Sequence, residues 1–460
     1  MTVATNPTAT TSSISAGTAP AASPSTATKP PLLALHDAAQ QAGNLRSVLQ
    51  DDKQRIGCFL GAGCPLGIYD EAGTKSIALI PAVVDLTKKV AADLLAADSA
   101  DGAKSEFKKN WDSLSKECKS GGSAEPTVED ILTELRALAN RRGNAEVLGM
   151  SKKVLNDLDA KICALITTRM KMTLPDYRCS YNRFASWIGG VYRTSPVEIF
   201  TPNYDLLFEQ AFEKHPLPHF DGFVGSREPW FDLSSIEHDA IPARWTRLWK
   251  LHGSINWEKR EETVDGTQVT RVIRITGEPE EGKVMIFPSH LKYDQSRRMP
   301  YLAMLDRLKA FFHGSVTSNR NAVGRQEEDA PRLIICGYSF LDDHLNEVLL
   351  DGLRGNRSAQ CFALMYSNLE DHPIAVKKAE KQGNLTVLAK DGAVVGTRVG
   401  LYRPGSPSIK NAEPWLLEEN SVVSGKPVNS LRCLLGDFHY FGLFLEQLCG
   451  ARSNDAHSIV

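Results

Sequence analysis

Five short apolar runs, Val197–Phe200, Leu248–Leu251, Arg332–Cys336, Cys361–Tyr366 and Leu385–Leu388, limit the folds open to this chain. A sixth, Ile56–Leu60, precedes them. Most are continuous rather than alternating, the pattern of strands buried on both faces. Helical segments lie between several of them, which predicts an α/β fold built on a Rossmann-like, doubly wound parallel sheet. Val269–Ile275 and then Val284–Phe287 alternate with polar residues instead, and read as a surface hairpin. Between the first strand and the second, residues 81–190 read as an inserted helical subdomain. Pro81 is placed as a first-turn proline ahead of Val84, Val90 and Leu94. Thr127-x-x-Asp130 resembles a capping box before Ile131, Leu132, Leu135 and Leu138, and Leu155, Leu158, Ile162 and Leu165 share a helix face.

The ends of the chain differ from this middle. Residues 1–31 are almost entirely Thr, Ala, Ser and Pro, too poor in large apolar side chains to order themselves, and are read as a disordered tail. They lack the basic start and apolar centre of a secretory signal. Order is expected from about Leu32, in a helix carrying Leu35, Ala38, Ala39, Leu45 and Leu49, so that residues 32–400 form the main domain. Residues 401–460 form an extension with one packing helix, N-capped by Asp437, turning Phe438, Phe441, Leu445 and Leu448 inward and ended by Gly450. With 42% hydrophobic and 23% charged residues the chain is ordinary for a globular protein. Its net charge of -2 supplies no global field for DNA, RNA or an anionic membrane, and no direct nucleic-acid binding is expected. No apolar run reaches the roughly 20 residues of a spanning helix. The 9 cysteines form no CxxC pair, and their odd number argues for reduced thiols and a cytoplasmic setting. Cys58, Cys336 and Cys361 read as small buried hydrophobes.

Chemistry-bearing residues gather just past the strand-like runs. Gly61-Ala62-Gly63 follows the first of them, where backbone amides could face a pyrophosphate without an intervening Cβ; a tight turn with no ligand would need the same glycines. Asn203 and Asp205, two apart after the second run, project to the same side if the segment stays extended. Both could instead cap a helix starting at Leu206, a role that suits Asp205 better than Asn203. His252, before Gly253-Ser254, lies where open α/β sheets bind ligands, although a lone histidine is by default a satisfied core residue. Gly337-Tyr338-Ser339 and Ser367-Asn368 follow the next two runs and suit a second ribose. Asp342 and His344 could equally cap the helix that follows, and Ser367-Asn368 could be a polar loop.

Thr-Pro-Asn-Tyr-Asp-Leu-Leu (from Thr201), Lys-Leu-His-Gly-Ser-Ile (from Lys250) and Gly-Tyr-Ser-Phe-x-Asp-x-His-Leu-Asn (from Gly337), after Gly-Ala-Gly, resemble the sirtuin-like domain of bacterial anti-phage NAD hydrolases. That grouping includes the Thoeris effector and the partners of HerA-type ATPases, and the resemblance spans about Ile56 to Asp391. It implies a substrate, NAD+, cleaved at the nicotinamide–ribose bond in anti-phage defence. It implies Asn203, Asp205 and His252 as the catalytic set. Gly61, Ala62, Gly63, Cys64, Thr201, Gly337, Ser339 and Asn368 become cofactor-binding positions. It also implies a homo-oligomer gated by assembly or by a HerA-type ATPase, with the helical block and the tail helix as natural self-association surfaces or as ordinary core. Two features depart from sirtuin deacylases: the two CxxC pairs of their zinc module are missing, so no zinc is expected, and Cys64-Pro65-Leu66-Gly67 stands where their Asp-Phe-Arg would be. A zinc-free deacylase and a non-catalytic sensor of NAD or ADP-ribose are the alternatives.

Overall fold

The computed structural model describes residues 33–100, 106–120, 125–140, 146–238, 241–242, 244–277, 284–286, 300–313, 330–403, 413–423 and 426–449. The tail at 1–31, Phe287 and Gly450 lie outside the described residues. The central sheet has ten strands: β1 Ala34–His36, β2 Ile56–Leu60, β3 Glu198–Thr201, β4 His219–Phe220, β5 Thr246–Lys250, β6 Arg332–Cys336, β7 Gln360–Leu364, β8 Leu385–Leu388, β9 Gly392–Val395 and β10 Arg398–Tyr402. Their order is β1-β10-β9-β8-β7-β6-β2-β3-β5-β4. From β8 across to β4 every pairing is parallel, as the continuous apolar runs predict.

Successive side chains of one strand enter different cores. Cys58, Leu60, Ile199, Leu248, Ile334 and Cys336 join the inserted helices and the C-terminal helix on one face. Phe59, Phe200, Trp249, Leu333 and Ile335 join helices Tyr301–His313 and Asp343–Gly355 on the other. A period of two with apolar residues at both parities covers a sheet on both sides, which is the doubly wound arrangement. From β2 the chain goes to β3, to the edge strand β4 and back to β5 on one side, then crosses to β6 and runs β6→β7→β8 on the other. The switch point of the sheet is therefore the β2/β6 pair, held in register from Arg332↔Ile56 to Cys336↔Leu60.

Of the helices expected between β2 and β3, the central ones form at the expected residues and the first begins later than expected. Thr127 Oγ1 accepts from the Asp130 amide at 3.3 Å while Asp130 Oδ2 accepts from the Thr127 amide at 2.8 Å, a complete capping box. Leu155, Leu158 and Ile162 are buried, with Leu165 partly so. Pro81, however, precedes the helix, which runs Val83–Ala100 and leaves Val84 exposed. Leu35 belongs to β1 rather than to a helix, because the backbone there pairs with β10; the helix is Ala38–Gln50, capped by Asp37. Val269–Ile275 and Val284–Phe287 do not pair with each other. Strands Thr267–Arg274 and Val284–Ile286 flank a long strand, Gly253–Val264, that the sequence reading left out. The antiparallel β9, β10 and the hairpin Leu416–Val423/Lys426–Cys433 were likewise not foreseen.

The C-terminal helix, Phe438–Leu448, is N-capped by Asp437 and buries Phe438, Phe441, Leu445 and Leu448 as expected. Its apolar face packs on helix Ser180–Gly190, where Phe438 meets Tyr181 and Phe184, and Phe438 also meets Phe208 of helix Leu207–Lys214. That face is core. Just before it, Gly436 lies against the exit of β7: a Cβ there would fall 2.0 Å from the Met365 carbonyl oxygen, so the C-terminal segment closes directly onto the sheet's carboxyl edge. Among the described residues no helix is long and apolar enough to cross a membrane.

Candidate functional site

The segments singled out in the sequence all leave the same edge. Ser367-Asn368, Gly337–Ser339, Gly61–Cys64, Thr201–Asp205 and His252 follow the carboxyl ends of β7, β6, β2, β3 and β5, adjacent and parallel in that order. In a doubly wound sheet the crevice for a ligand opens at that edge beside the switch point, which here separates the Gly61 turn from the Gly337 turn.

Those two turns interlock. The Gly61 amide donates to the Cys336 carbonyl at 2.9 Å, and the Gly63 amide to the Gly337 carbonyl at 2.8 Å. A Cβ on Gly61 would meet the Gly337 oxygen at 2.4 Å, and one on Gly63 the Gly337 Cα at 2.7 Å. Gly337 itself has φ +68° and would place a Cβ 2.7 Å from the Cys64 amide nitrogen. The glycines are thus required by the approach of one backbone to another. The pyrophosphate reading needs revision: the amides of Gly61, Gly63 and Cys64 are spent on backbone carbonyls, and only the exposed Ala62 keeps an amide without a hydrogen bond among the described residues. Gly337→Ala combines left-handed strain with that overlap, and is expected to lower stability by more than about 2 kcal/mol in urea unfolding.

Cys64 is buried, its Sγ 3.5 Å from the Cys336 carbonyl, and burial pushes its thiol well above the ordinary range. It supports the turn from beneath. Thr201, also buried, donates its hydroxyl to the Leu60 carbonyl at 2.7 Å and accepts from the Asn203 amide at 3.1 Å. Asn203 Nδ2 donates to the Gly61 carbonyl at 3.1 Å, so the β3 loop is tied to the glycine turn across the switch-point strand. Its Oδ1 makes no hydrogen bond among the described residues. Tyr204 turns the other way, into the helical insertion, where its hydroxyl donates to Glu129 at 3.1 Å.

Asp205 Oδ1 accepts from the Leu207 amide at 3.0 Å, the first of helix Leu207–Lys214, although the N-cap position itself is Leu206 and makes no side-chain cap. Asp205 is 4% exposed, and burial raises its carboxyl to about 6 although Lys250 pulls the other way. Folded protein therefore holds a proton between about pH 4 and pH 6 that the unfolded chain, titrating at 3.8, has released. This group's stability contribution is full below the lower value and lost as pH rises through the upper one. Asp205→Asn keeps an acceptor for Leu207, and is expected to flatten that loss and gain on the order of 2 kcal/mol near neutral pH, measured by urea unfolding on both sides of pH 6.

Lys250, at the end of β5, opens the Lys-Leu-His-Gly-Ser-Ile motif but has no role in the sequence reading. It is 1% exposed; its ammonium lies 3.0 Å from Glu209 and 3.4 Å from the Tyr204 carbonyl, and donates also to the Asp205 carbonyl. With Ser254 Oγ on the same Tyr204 carbonyl at 3.4 Å, it sets the path of the Asn203–Asp205 loop. The available signal was a lysine directly after the apolar pair Leu248-Trp249. His252 is mostly buried, with Nε2 3.3 Å from Asp342 Oδ2. The sequence had given Asp342 only the capping of its helix, which it also performs. Ser339 is exposed at the β6 turn. Asn368 stands apart from the other candidates: it opens the short helix Leu369–Asp371 and lies 3.4 Å from Arg432 of the C-terminal hairpin.

Adjacent strand exits thus place polar residues on either side of the switch point. The family comparison falls on the same stretch. Residues 197–388 match the SIR2-like domain family. The SIR2-like region runs from β3 through β8 and contains Asn203, Asp205, His252, Gly337, Ser339 and Asn368. β2 and the Gly61 turn precede it in sequence, yet the fold seats them between β3 and β6 of the SIR2-like region. No curated protein matches the chain. A SIR2-like domain supports an NAD-related function in the general sense; the particular reaction and its residues are taken up next.

Proposed function

We propose that the protein is an NAD+ glycohydrolase: water replaces nicotinamide at the anomeric carbon, giving nicotinamide, ADP-ribose and one proton. The observation that supports this reading is the Asn203 side chain. It is anchored through Nδ2 to the Gly61 carbonyl at the switch point, and its Oδ1, without a hydrogen bond among the described residues, is the acceptor we assign to a water or a ribose hydroxyl. His252, at the exit of the next strand but one from β2, is the base or hydroxyl partner. Asp205 orients the carboxamide, and the Ala62 amide and Ser339 hydroxyl face the phosphates and the second ribose. Cleavage of such a bond passes through an oxocarbenium-like state, so the work left to the protein is positioning and charge stabilisation.

An unrestrained NAD hydrolase would drain its own host. A defence role, gating by self-association or by a HerA-type ATPase, and a cytoplasmic setting are part of this proposal and rest on the sequence resemblance. Since the C-terminal helix spends its apolar face on the core, any homo-oligomer would have to use other surfaces. The test is to incubate the full chain with NAD+, alone and with the product of a neighbouring gene, and to resolve products by chromatography. Nicotinamide and ADP-ribose without any acylated peptide support the reading. NAD+ that is bound but intact in both arms overturns it in favour of a sensor, and O-acyl-ADP-ribose formed only with acylated peptide overturns it in favour of a deacylase.

A further inference from the structure

The turn after β6 is built with unusual constraint for one that only starts a helix. Gly337 at φ +68° and Phe340 at φ +59° both occupy the left-handed region, which a buried phenylalanine adopts only where its surroundings hold it. Those surroundings are specific. Asn346 Nδ2, 1% exposed as a residue, donates to the Phe340 carbonyl at 2.8 Å. The Tyr338 hydroxyl bridges Asn346 Oδ1 at 3.0 Å and the Asp342 carbonyl at 3.1 Å. The Asn346 amide donates to that same carbonyl at 2.9 Å. The network fixes Asp342, and two contacts of its carboxylate bear on the site, the one to His252 lying at ion-pair distance rather than forming a completed hydrogen bond. Oδ1 accepts from the Leu345 amide at 3.1 Å and caps helix Asp343–Gly355; Oδ2 lies 3.3 Å from His252 Nε2. The two side chains are 10% and 12% exposed, so water screens the contact little.

We propose that Asp342 is the positioning residue of His252, fixing the imidazole's orientation and its tautomer with the proton on Nε2, and so leaving Nδ1 as the working nitrogen. A carboxylate can only accept, which selects the protonated nitrogen facing it. The inference rests on His252 acting on NAD+, but the contact can be tested without it. In Asp342→Asn the amide oxygen is retained by the Leu345 cap, since asparagine and aspartate cap equally well, and an NH2 then faces His252. A donor in that place demands an acceptor, so the ring should switch to the Nδ1-protonated tautomer.

The experiment uses the full chain with nitrogen-15-labelled histidine at a pH where the ring is neutral, the His252 signals being assigned by their loss in His252→Gln. The expected result is a tautomer exchange in Asp342→Asn with thermal stability unchanged. Where the wild type releases nicotinamide, kcat should also fall on the order of 100-fold with KM for NAD+ little altered, as wrong-tautomer substitutions do. Asp342→Ser, which caps but does not reach the ring, should lose turnover to a similar extent. A His252 spectrum that is identical in wild type and Asp342→Asn overturns the proposal whether or not NAD+ is consumed. So does full turnover in both capping variants. A wild type that consumes no NAD+ defeats the parent reading alone, because the tautomer measurement still decides this one.

Discussion

His252→Ala is expected to release no measurable nicotinamide from NAD+ while remaining as folded as the parent. The imidazole is mostly buried, and its polar contact among the described residues is Asp342, which keeps its helix-capping bond to Leu345 when the ring is gone. The cost in stability should therefore stay within about 1 kcal/mol. Loss of a group that both positions a ribose hydroxyl and moves a proton should lower turnover by roughly 1,000-fold or more. Asn203→Ala should behave alike in turnover and lose about 1 kcal/mol for the bond to the Gly61 carbonyl. Binding of NAD+ in a calorimeter separates the cases. A variant that binds but does not cleave has lost chemistry, one that does neither has lost the pocket, and parental turnover in either variant removes that residue from the mechanism.

Lys250→Met should unfold the site rather than slow it. The ammonium is the counter-charge for Glu209 and for the nearby Asp205, and it donates to the carbonyls of Tyr204 and Asp205. Methionine fills the space but leaves the buried Asp205 and the partly buried Glu209 without their cation, a loss of about 3–5 kcal/mol. The penalty has a definite pH dependence. Lys250 holds the Asp205 carboxyl down, so its removal raises that group further, and stability is lost more steeply as pH rises. Urea unfolding should show Lys250→Met closest to the parent at acid pH and furthest at alkaline pH. Adding Asp205→Asn and Glu209→Gln should recover much of the difference, since the carboxylates no longer need the cation. A Lys250→Met protein of parental stability at every pH would show that the ammonium does not hold this loop.

What could be read without coordinates divides along physical lines. Ile56–Leu60, Arg332–Cys336 and Leu385–Leu388 were bounded to the residue because a strand covered on both faces must be apolar at both parities. Val197–Phe200 and Leu248–Leu251 were displaced by one or two residues, because the strands include Thr201, Thr246 and Arg247. These polar residues are buried in the folded chain and leave no apolar signal. Leu35 was assigned to a helix since three residues cannot show a period, and its strand exists only through pairing with β10. The capping boundaries at Thr127 and Asp437 were legible because a cap is satisfied within three residues.

The sequence by itself determined a doubly wound sheet, the helical insertion within it, and which residues stand at the strands' carboxyl ends, for those follow from local period and from turn chemistry. Only the tertiary structure decided that Gly61 and Gly63 face Gly337 rather than open space, that Lys250 shapes the Asn203–Asp205 loop, and that Asp342 meets His252. Each of these is a contact between strands far apart along the chain, and a residue carries no local mark of what a distant strand will bring beside it.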